Sequence, residues 1–393
     1  MDFDLQWLLW GLPLAFALGW MASRWDVRQW RREPASSPRI YYKGLNLLLN
    51  EQQDKAIDAF IEAVQHDPET SDLHFALGNL FRRRGEYERA VRVHQHLLGR
   101  ADLPRSERDR AQHALAQDYM KAGLFDRAED AYKALAGTAF DTESRLALLD
   151  LHERSRNWGA AIDVAHQLER SGTGSFASRI AHYWCEIALE ADAQQHGEAA
   201  DKALDNARQA APNDARPLVL AGERASARND AIEAMRAWGS LMTSQPLAFN
   251  LVARRYATAA IAAGRAAPAL DSLQTLYLQA PTMDLLAAIA SLQPDDASLR
   301  ARLLGHLREH PTLAAAGAVL DPESMRVDSG PSLAGTPIDA AEADAVRGAI
   351  RRAARPLHRY RCAACGFEAE HYFWQCPGCL GWDTYPPHRL EDQ

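Results

Sequence analysis

The chain has 393 residues, 47% of them hydrophobic and 24% charged, with a formal net charge of −8. That length exceeds one compact core of ordinary size, so two or three units or one extended array are expected. The acidic balance excludes general nucleic-acid binding, which takes most of its affinity from a basic surface.

Basic residues are nonetheless grouped, at Arg24, Arg28, Arg31 and Arg32 and again at Arg351, Arg352, Arg355, Arg359 and Arg361. The first group follows a segment, Leu5 to Ala22, in which only Gln6 is strongly polar. As a helix rising ~1.5 Å per residue this segment spans about 27 Å, enough for a bilayer core, so residues 1–24 are expected to form a single transmembrane anchor. Trp7, Trp10, Trp20 and Trp25 lie towards its ends, at headgroup level. Asp2 and Asp4 precede it and arginines follow, which orients the remainder of the chain to the cytoplasm. An acidic start is unlike the basic n-region of a cleaved signal peptide. Pro13 can kink the helix, and residues 25–38 read as a polar linker.

From residue 39 to 312 a 34-residue period appears, with Gly44 recurring as Gly78 and Ala56 as Ala90, the period of tetratricopeptide helix pairs. The first pair shows Gly44, Leu47, Ala56, Phe60, Ala63 and Pro68, and the second Leu77, Gly78, Phe81 and Ala90. Later pairs are looser. They are marked by Ala116, Ala128 and Tyr132; by Ala161 and Leu168; by Ala188, Ala200 and Leu204; by Gly222, Ala234 and Trp238; and by Ala257, Ala269 and Leu273, with a degenerate pair from Met283 to Pro311. Arg100 to Asp109 reads as an inserted turn. One such pair cannot bury its apolar face, whereas stacked pairs share a continuous core and curl into a superhelix whose inner helices line a protein-binding groove. In that register Asn79, Arg82 and Arg83 are candidate partner contacts, against the alternative of an ordinary solvated face. Phe60, Tyr132 and Trp238 recur at one repeat position and are expected in the core.

No enzyme is expected. The histidines are scattered, and His94 and His96 stand at i and i+2, a spacing that does not face two imidazoles at one ion. Neither a phosphate-binding glycine loop nor a Gly-x-Ser-x-Gly or His-Glu-x-x-His motif occurs, and nothing points to a small-molecule substrate. Cys185 stands alone in an apolar context as a small buried hydrophobe.

Residues 313–356 read as a linker with one short helix, capped by Asp339 with Glu342 reaching back, that lets the C-terminus fold onto the repeats. In residues 357–393, Cys362 and Cys365 are followed ten residues on by Cys376 and Cys379. Two Cys-x-x-Cys pairs at this separation suit one tetrahedral ion, Fe or Zn. The glycines of Cys362-Ala-Ala-Cys365-Gly366 and Cys376-Pro-Gly378-Cys379 free the backbone to aim amides at sulfur. Tyr360, Phe367, Tyr372, Phe373, Trp374, Trp382 and Tyr385 are expected to form a small core around the ion. The fold class is therefore all-α: a tetratricopeptide superhelix with an N-terminal transmembrane helix and a small rubredoxin-like or zinc-ribbon module. The loop between the pairs is shorter than in an electron-carrying rubredoxin, and Gly381 comes one residue later than the glycine that usually follows the last cysteine.

An anchor, then repeats, then a four-cysteine module, with the stretches Gly44-Leu-Asn-Leu-Leu-Leu-Asn-Glu-Gln-Gln-Asp-Lys-Ala56, Leu77-Gly-Asn-Leu-Phe-Arg-Arg-Arg-Gly85 and Tyr360-Arg-Cys-Ala-Ala-Cys-Gly-Phe367, resembles the lipopolysaccharide assembly protein B family. The resemblance implies a bacterial inner-membrane adaptor that promotes degradation of the lipid A pathway deacetylase LpxC by the membrane-bound FtsH protease, opposed by an inner-membrane regulator. It also implies that Cys362, Cys365, Cys376 and Cys379 are the ligands and that the module packs on the repeats. A general scaffold for envelope enzymes and a rubredoxin-type electron carrier are the alternatives, and a homodimer is an open possibility.

Overall fold

The computed structural model describes residues 15–21, 37–50, 52–66, 70–293, 296–320, 347–348 and 350–392. Most of the expected anchor lies outside these. Residues 15–21 are helical and exposed, and among the described residues no helix is long and apolar enough to cross a membrane. Asp339 and Glu342 also lie outside the described residues, as do Pro68 and most of the expected linker.

The described residues divide into two compact units between Asn157 and Trp158. The first contains α1 (Ser37–Leu49), α2 (Gln53–His66), α3 (Ser71–Arg84), α4 (Tyr87–Gly99), α5 (Arg105–Lys121), α6 (Phe125–Lys133) and α7 (Asp141–Arg154). The second contains α8 (Trp158–Arg170), α9 (Ala177–Ala193), α10 (Gly197–Ala210), α11 (Ala215–Ala227), α12 (Ala231–Ser244), the single turn α13 (Pro246–Phe249), α14 (Ala253–Ala262), α15 (Ala266–Gln279), α16 (Met283–Leu292), α17 (Asp296–Glu309) and α18 (Leu313–Leu320). It ends in two short antiparallel strands, β1 (Tyr360–Arg361) and β2 (Glu368–Ala369).

Two expectations shift. The inserted turn is shorter than Arg100 to Asp109, because Pro104 takes the position before the first helical residue and α5 begins at Arg105; a proline there fits the first turn of a helix, where its missing N–H is no loss. The linker expected from residue 313 opens instead with α18, whose Ala315 and Ala318 are buried.

The pairs form because a small residue on the first helix admits a large one from the second. A Cβ on Gly44 would come within 2.8 Å of the Phe60 ring, one on Gly78 within 2.5 Å of the His94 ring, and one on Gly222 within 2.2 Å of the Trp238 indole. Phe60 and Trp238 are fully buried and Tyr132 nearly so, so this repeat position is core, and each such apolar ring contributes about 2–3 kcal/mol by leaving water. Trp238 also donates its indole N–H to Val219 O at 3.1 Å.

In six of the pairs the turn joining the helices uses one left-handed residue: Gly85, Gly123, Arg156, Gln195, Asn229 and Gly264, at φ between 55° and 83°. Local caps set some of the starts. Asp230 accepts from the Glu233 amide at 3.0 Å before α12, and Thr282 from the Leu285 amide at 3.3 Å before α16.

Within the first unit, His94, one 34-residue period after Phe60, fills the aromatic slot of the second pair. Its Nδ1 lies 2.5 Å from Asp118 Oδ2, and both side chains are fully buried. Arg82 closes the network, donating to Asp118 at 2.7 Å, to Ala114 O at 3.1 Å and to Asn79 Oδ1 at 2.6 Å. A buried carboxylate is tolerated only when paired and hydrogen-bonded, and Arg82 with His94 supplies both. His96 turns elsewhere, its ring stacked on His74 at 5.7 Å. Cys185 is fully buried, and burial pushes its thiol up to about 12.

Candidate metal centre and its seat on the repeats

The four cysteine sulfurs come together. Their Sγ atoms all lie within 4.8 Å of one another, with Cys362 3.8 Å from Cys379 and Cys365 3.6 Å from Cys376. Four sulfurs at tetrahedral corners about 2.3 Å from one ion stand about 3.8 Å apart, so the two short separations match a four-thiolate site. Among the described residues this is the one such cluster of possible ligands.

Two matching turns build the cluster. In the first, Gly366 N donates to Cys362 O at 2.9 Å and Cys362 N to Phe367 O at 2.9 Å. In the second, Leu380 N donates to Cys376 O at 2.7 Å and Cys376 N to Gly381 O at 2.8 Å. Gly366 sits at φ +77°, and its counterpart Leu380 is held at +59°. The displaced Gly381 therefore serves close approach rather than left-handed backbone, since a Cβ there would meet Thr384 Cγ2 at 2.8 Å. Gly378 N points at Cys376 Sγ, 3.4 Å away. β1 and β2 join the first turn, and a bridge between Gln375 and Trp382 joins the second.

Electrostatics make the cluster a cation site. Burial works against the Cys362 thiolate, but hydrogen bonds from Thr384 and from the Cys365 and Ala364 backbone outweigh it and bring the thiol down to about 6. The Phe367 amide favours a thiolate at Cys365, yet burial and the three neighbouring sulfurs prevail and push that thiol up to about 12. Four thiolates this close cannot all ionise alone, whereas a divalent cation displaces their protons and satisfies them together. Cys362 and Cys376 are buried while Cys365 and Cys379 are exposed. This donor set is common to Fe and Zn.

The aromatics divide their labour differently from expectation. Tyr360 and Tyr385 are buried beside Cys362 and Cys376, with Tyr372 against them. Trp374 and Trp382 face away from the ligands and onto the repeats, and Phe367 and Phe373 are exposed. Trp382 stacks on His182 of α9 at 4.7 Å and 17°, meets Tyr183 and Trp158 edge-on, and lies 5.5 Å under the Arg216 guanidinium. The next residue, Asp383, accepts from Ser178 at 3.0 Å and from His182 Nε2 at 2.7 Å. Burial alone would raise the Asp383 carboxyl, but His182, Ser178 and Arg216 hold it below the usual carboxylate range. Arg216 is 5% exposed and is itself bound to Glu186 at 2.5 Å. The segment that follows ligand Cys379 is thus also the module's foot on α9.

These contacts were not readable from spacing, because Asp383 and His182 are far apart in sequence. The one hint was an excess of aromatics beyond what so small a ribbon can bury. Of the three candidate partner residues, Asn79 and Arg82 are tied into the Asp118 network and Arg83 is exposed.

Two family models match: the rubredoxin metal binding domain over residues 360–386 and the tetratricopeptide repeat over residues 73–109. The chain is 31% identical over 383 residues to lipopolysaccharide assembly protein B of Escherichia coli strain K12, covering 96% of this chain and 97% of that one. It belongs to the lipopolysaccharide assembly protein B family. The Haemophilus influenzae protein of the same name is 24% identical, with 96% of each chain covered. In this member of the lipopolysaccharide assembly protein B family, then, the ribbon is a four-cysteine cluster with an aromatic and carboxylate foot set on the fifth helix pair.

Proposed function

We propose that the chain is a membrane-anchored, cytosol-facing adaptor, not an enzyme, that limits lipopolysaccharide synthesis by presenting the lipid A pathway deacetylase to the FtsH protease. The observation that carries this reading is the 31% identity to lipopolysaccharide assembly protein B along nearly the whole of both chains. The geometry supports it in kind: stacked helix pairs offer extended surface for protein partners, and the metal cluster is fastened to them as a structural knob. Anchoring by residues 1–24 confines two partners to the membrane surface and raises their effective concentration with no catalytic group. Asn79, Arg82 and Arg83 mark one face for such a partner, Arg83 being its exposed member.

Depleting the protein is expected to lengthen the half-life of the deacetylase in pulse-chase labelling. An unchanged half-life would overturn the pathway assignment, and a crosslinking survey dominated by envelope enzymes outside proteolysis would replace it with a general scaffold. A carbonate wash that strips the full-length chain from membranes would remove the anchor.

A further inference from the structure

Between the ribbon and the repeats of the second unit lies a cleft of about 640 Å³ that takes no part in holding the ion, a size typical of ligand sites. The first helices of three successive pairs give one wall, with Glu223 from α11, Arg254 and Arg255 from α14, and Asp284 from α16; the ribbon gives the other, with Tyr372, Trp374 and Arg389.

Guanidiniums and carboxylates are equal in number along this cleft, but some of them are only loosely paired. Arg255 is paired with Glu223 and gives a second donor to Leu251 O. Glu370 at the rim faces Arg355 at 3.8 Å. Arg254 and Arg389 converge on Asp284 at 4.0 and 3.7 Å, beyond hydrogen-bond length, while Arg389 also meets His358 Nδ1 at 3.1 Å and lies near the Glu391 carboxylate. The Nε of Arg389 is buried with no hydrogen-bond partner among the described residues. A buried guanidinium donor left without an acceptor is unfavourable, and a carboxylate entering from the cleft would supply one. The same trio also borders a cavity of about 200 Å³ rimmed by Arg347 and Arg351, so part of the basic cluster in the sequence gathers here.

We propose that this composite cleft binds an acidic peptide segment, with one carboxylate seated between Arg254 and Arg389 and a neighbouring apolar side chain against Trp374. A peptide suits the lining better than a lipid headgroup does, because the repeats bring an amide, Asn250, and guanidiniums to face the aromatic rings of Tyr372 and Trp374 on the ribbon, and repeat arrays take extended chains. The inference deepens the adaptor reading by naming a partner chemistry. Binding is measured in vitro, so it can fail while the deacetylase assay succeeds, and the reverse.

The probe is a positional-scanning library of six-residue peptides with amidated carboxy termini, so that only side chains bring carboxylates, read by fluorescence anisotropy on the metal-loaded chain. Peptides bearing Asp or Glu are expected to bind at least about tenfold more tightly than their Lys counterparts, as one charge-assisted hydrogen-bonded contact provides. Arg254→Gln should erase that preference while metal content and melting stay unchanged. Arg254→Glu should turn it towards Lys peptides, an outcome that misfolding cannot produce. Equal binding of acidic and basic peptides, or a preference untouched by Arg254→Glu, would overturn the proposal. So would Arg254-dependent binding to phosphatidylglycerol vesicles with no peptide bound, which would assign the cleft to lipid.

Discussion

At the scale of single residues, the fold rests on backbone positions that admit no more than a hydrogen. The Cβ of alanine at Gly222 would fall 2.2 Å from the Trp238 indole. Gly222→Ala is therefore expected to destabilise the second unit by about 1–3 kcal/mol, the range for overpacking a filled core, seen as a lower denaturant midpoint with the metal retained. Leu380 presents the opposite case. It is held at φ +59° with 45% of its surface exposed, so glycine would relieve backbone strain of about 1–2 kcal/mol and lose little packing. Leu380→Gly should bind the ion more tightly in a competition titration with a chelator. His306 carries a pH signature. It is buried beneath Tyr277, whose hydroxyl lies 2.6 Å from Nδ1. Burial, helped by His310, lowers its pKa in spite of Glu309. A histidine whose folded pKa is depressed binds more protons when unfolded, so its contribution is whole above the unfolded value near 6.5 and falls away as pH drops through the folded one. Thermal midpoints should therefore decline below about pH 6.5, less steeply in His306→Gln.

At the scale of elements, the ribbon should behave as two separable things, a cluster and a foot. Cys376→Ser is expected to release the ion and unfold the turns it holds together, because a structural metal provides much of the folding energy of so small a module; elemental analysis checks it. Trp382→Ala should keep the ion yet loosen the module from α9, read as faster hydrogen exchange in α9 and in β1. Retained protection there would mean that Trp382 is not what holds the module down. The same division marks what the sequence made legible. The ligands were plain because four thiolates must be close in chain to make two tight turns, and the pairs were plain because Gly44 and Gly78 repeat for the sake of Phe60 and His94. The foot was hidden, since Trp382 and Asp383 acquire their partners only when distant helices stack. So was the meaning of His94: a histidine in an aromatic slot looks like surface chemistry until Asp118 arrives from the next pair to hold it.

At the scale of the whole molecule, the proposed adaptor function makes the expected anchor, the repeats and the ribbon successive answers to one requirement, keeping protein partners near a membrane. A chain lacking residues 1–24 is expected to keep its metal and its melting behaviour and yet fail to shorten the life of the deacetylase in cells, since only effective concentration is lost. The cleft beside the ribbon adds a practical consequence. Tyr372, Trp374 and Arg389 come from the C-terminal module and Arg254, Arg255 and Asp284 from helices, so neither segment owns it. A shortened clone ending at α18, the obvious choice for easy purification, would yield well-formed helices with half the pocket's walls missing, and a partner screen run on it would return blanks for a reason unconnected with the biology.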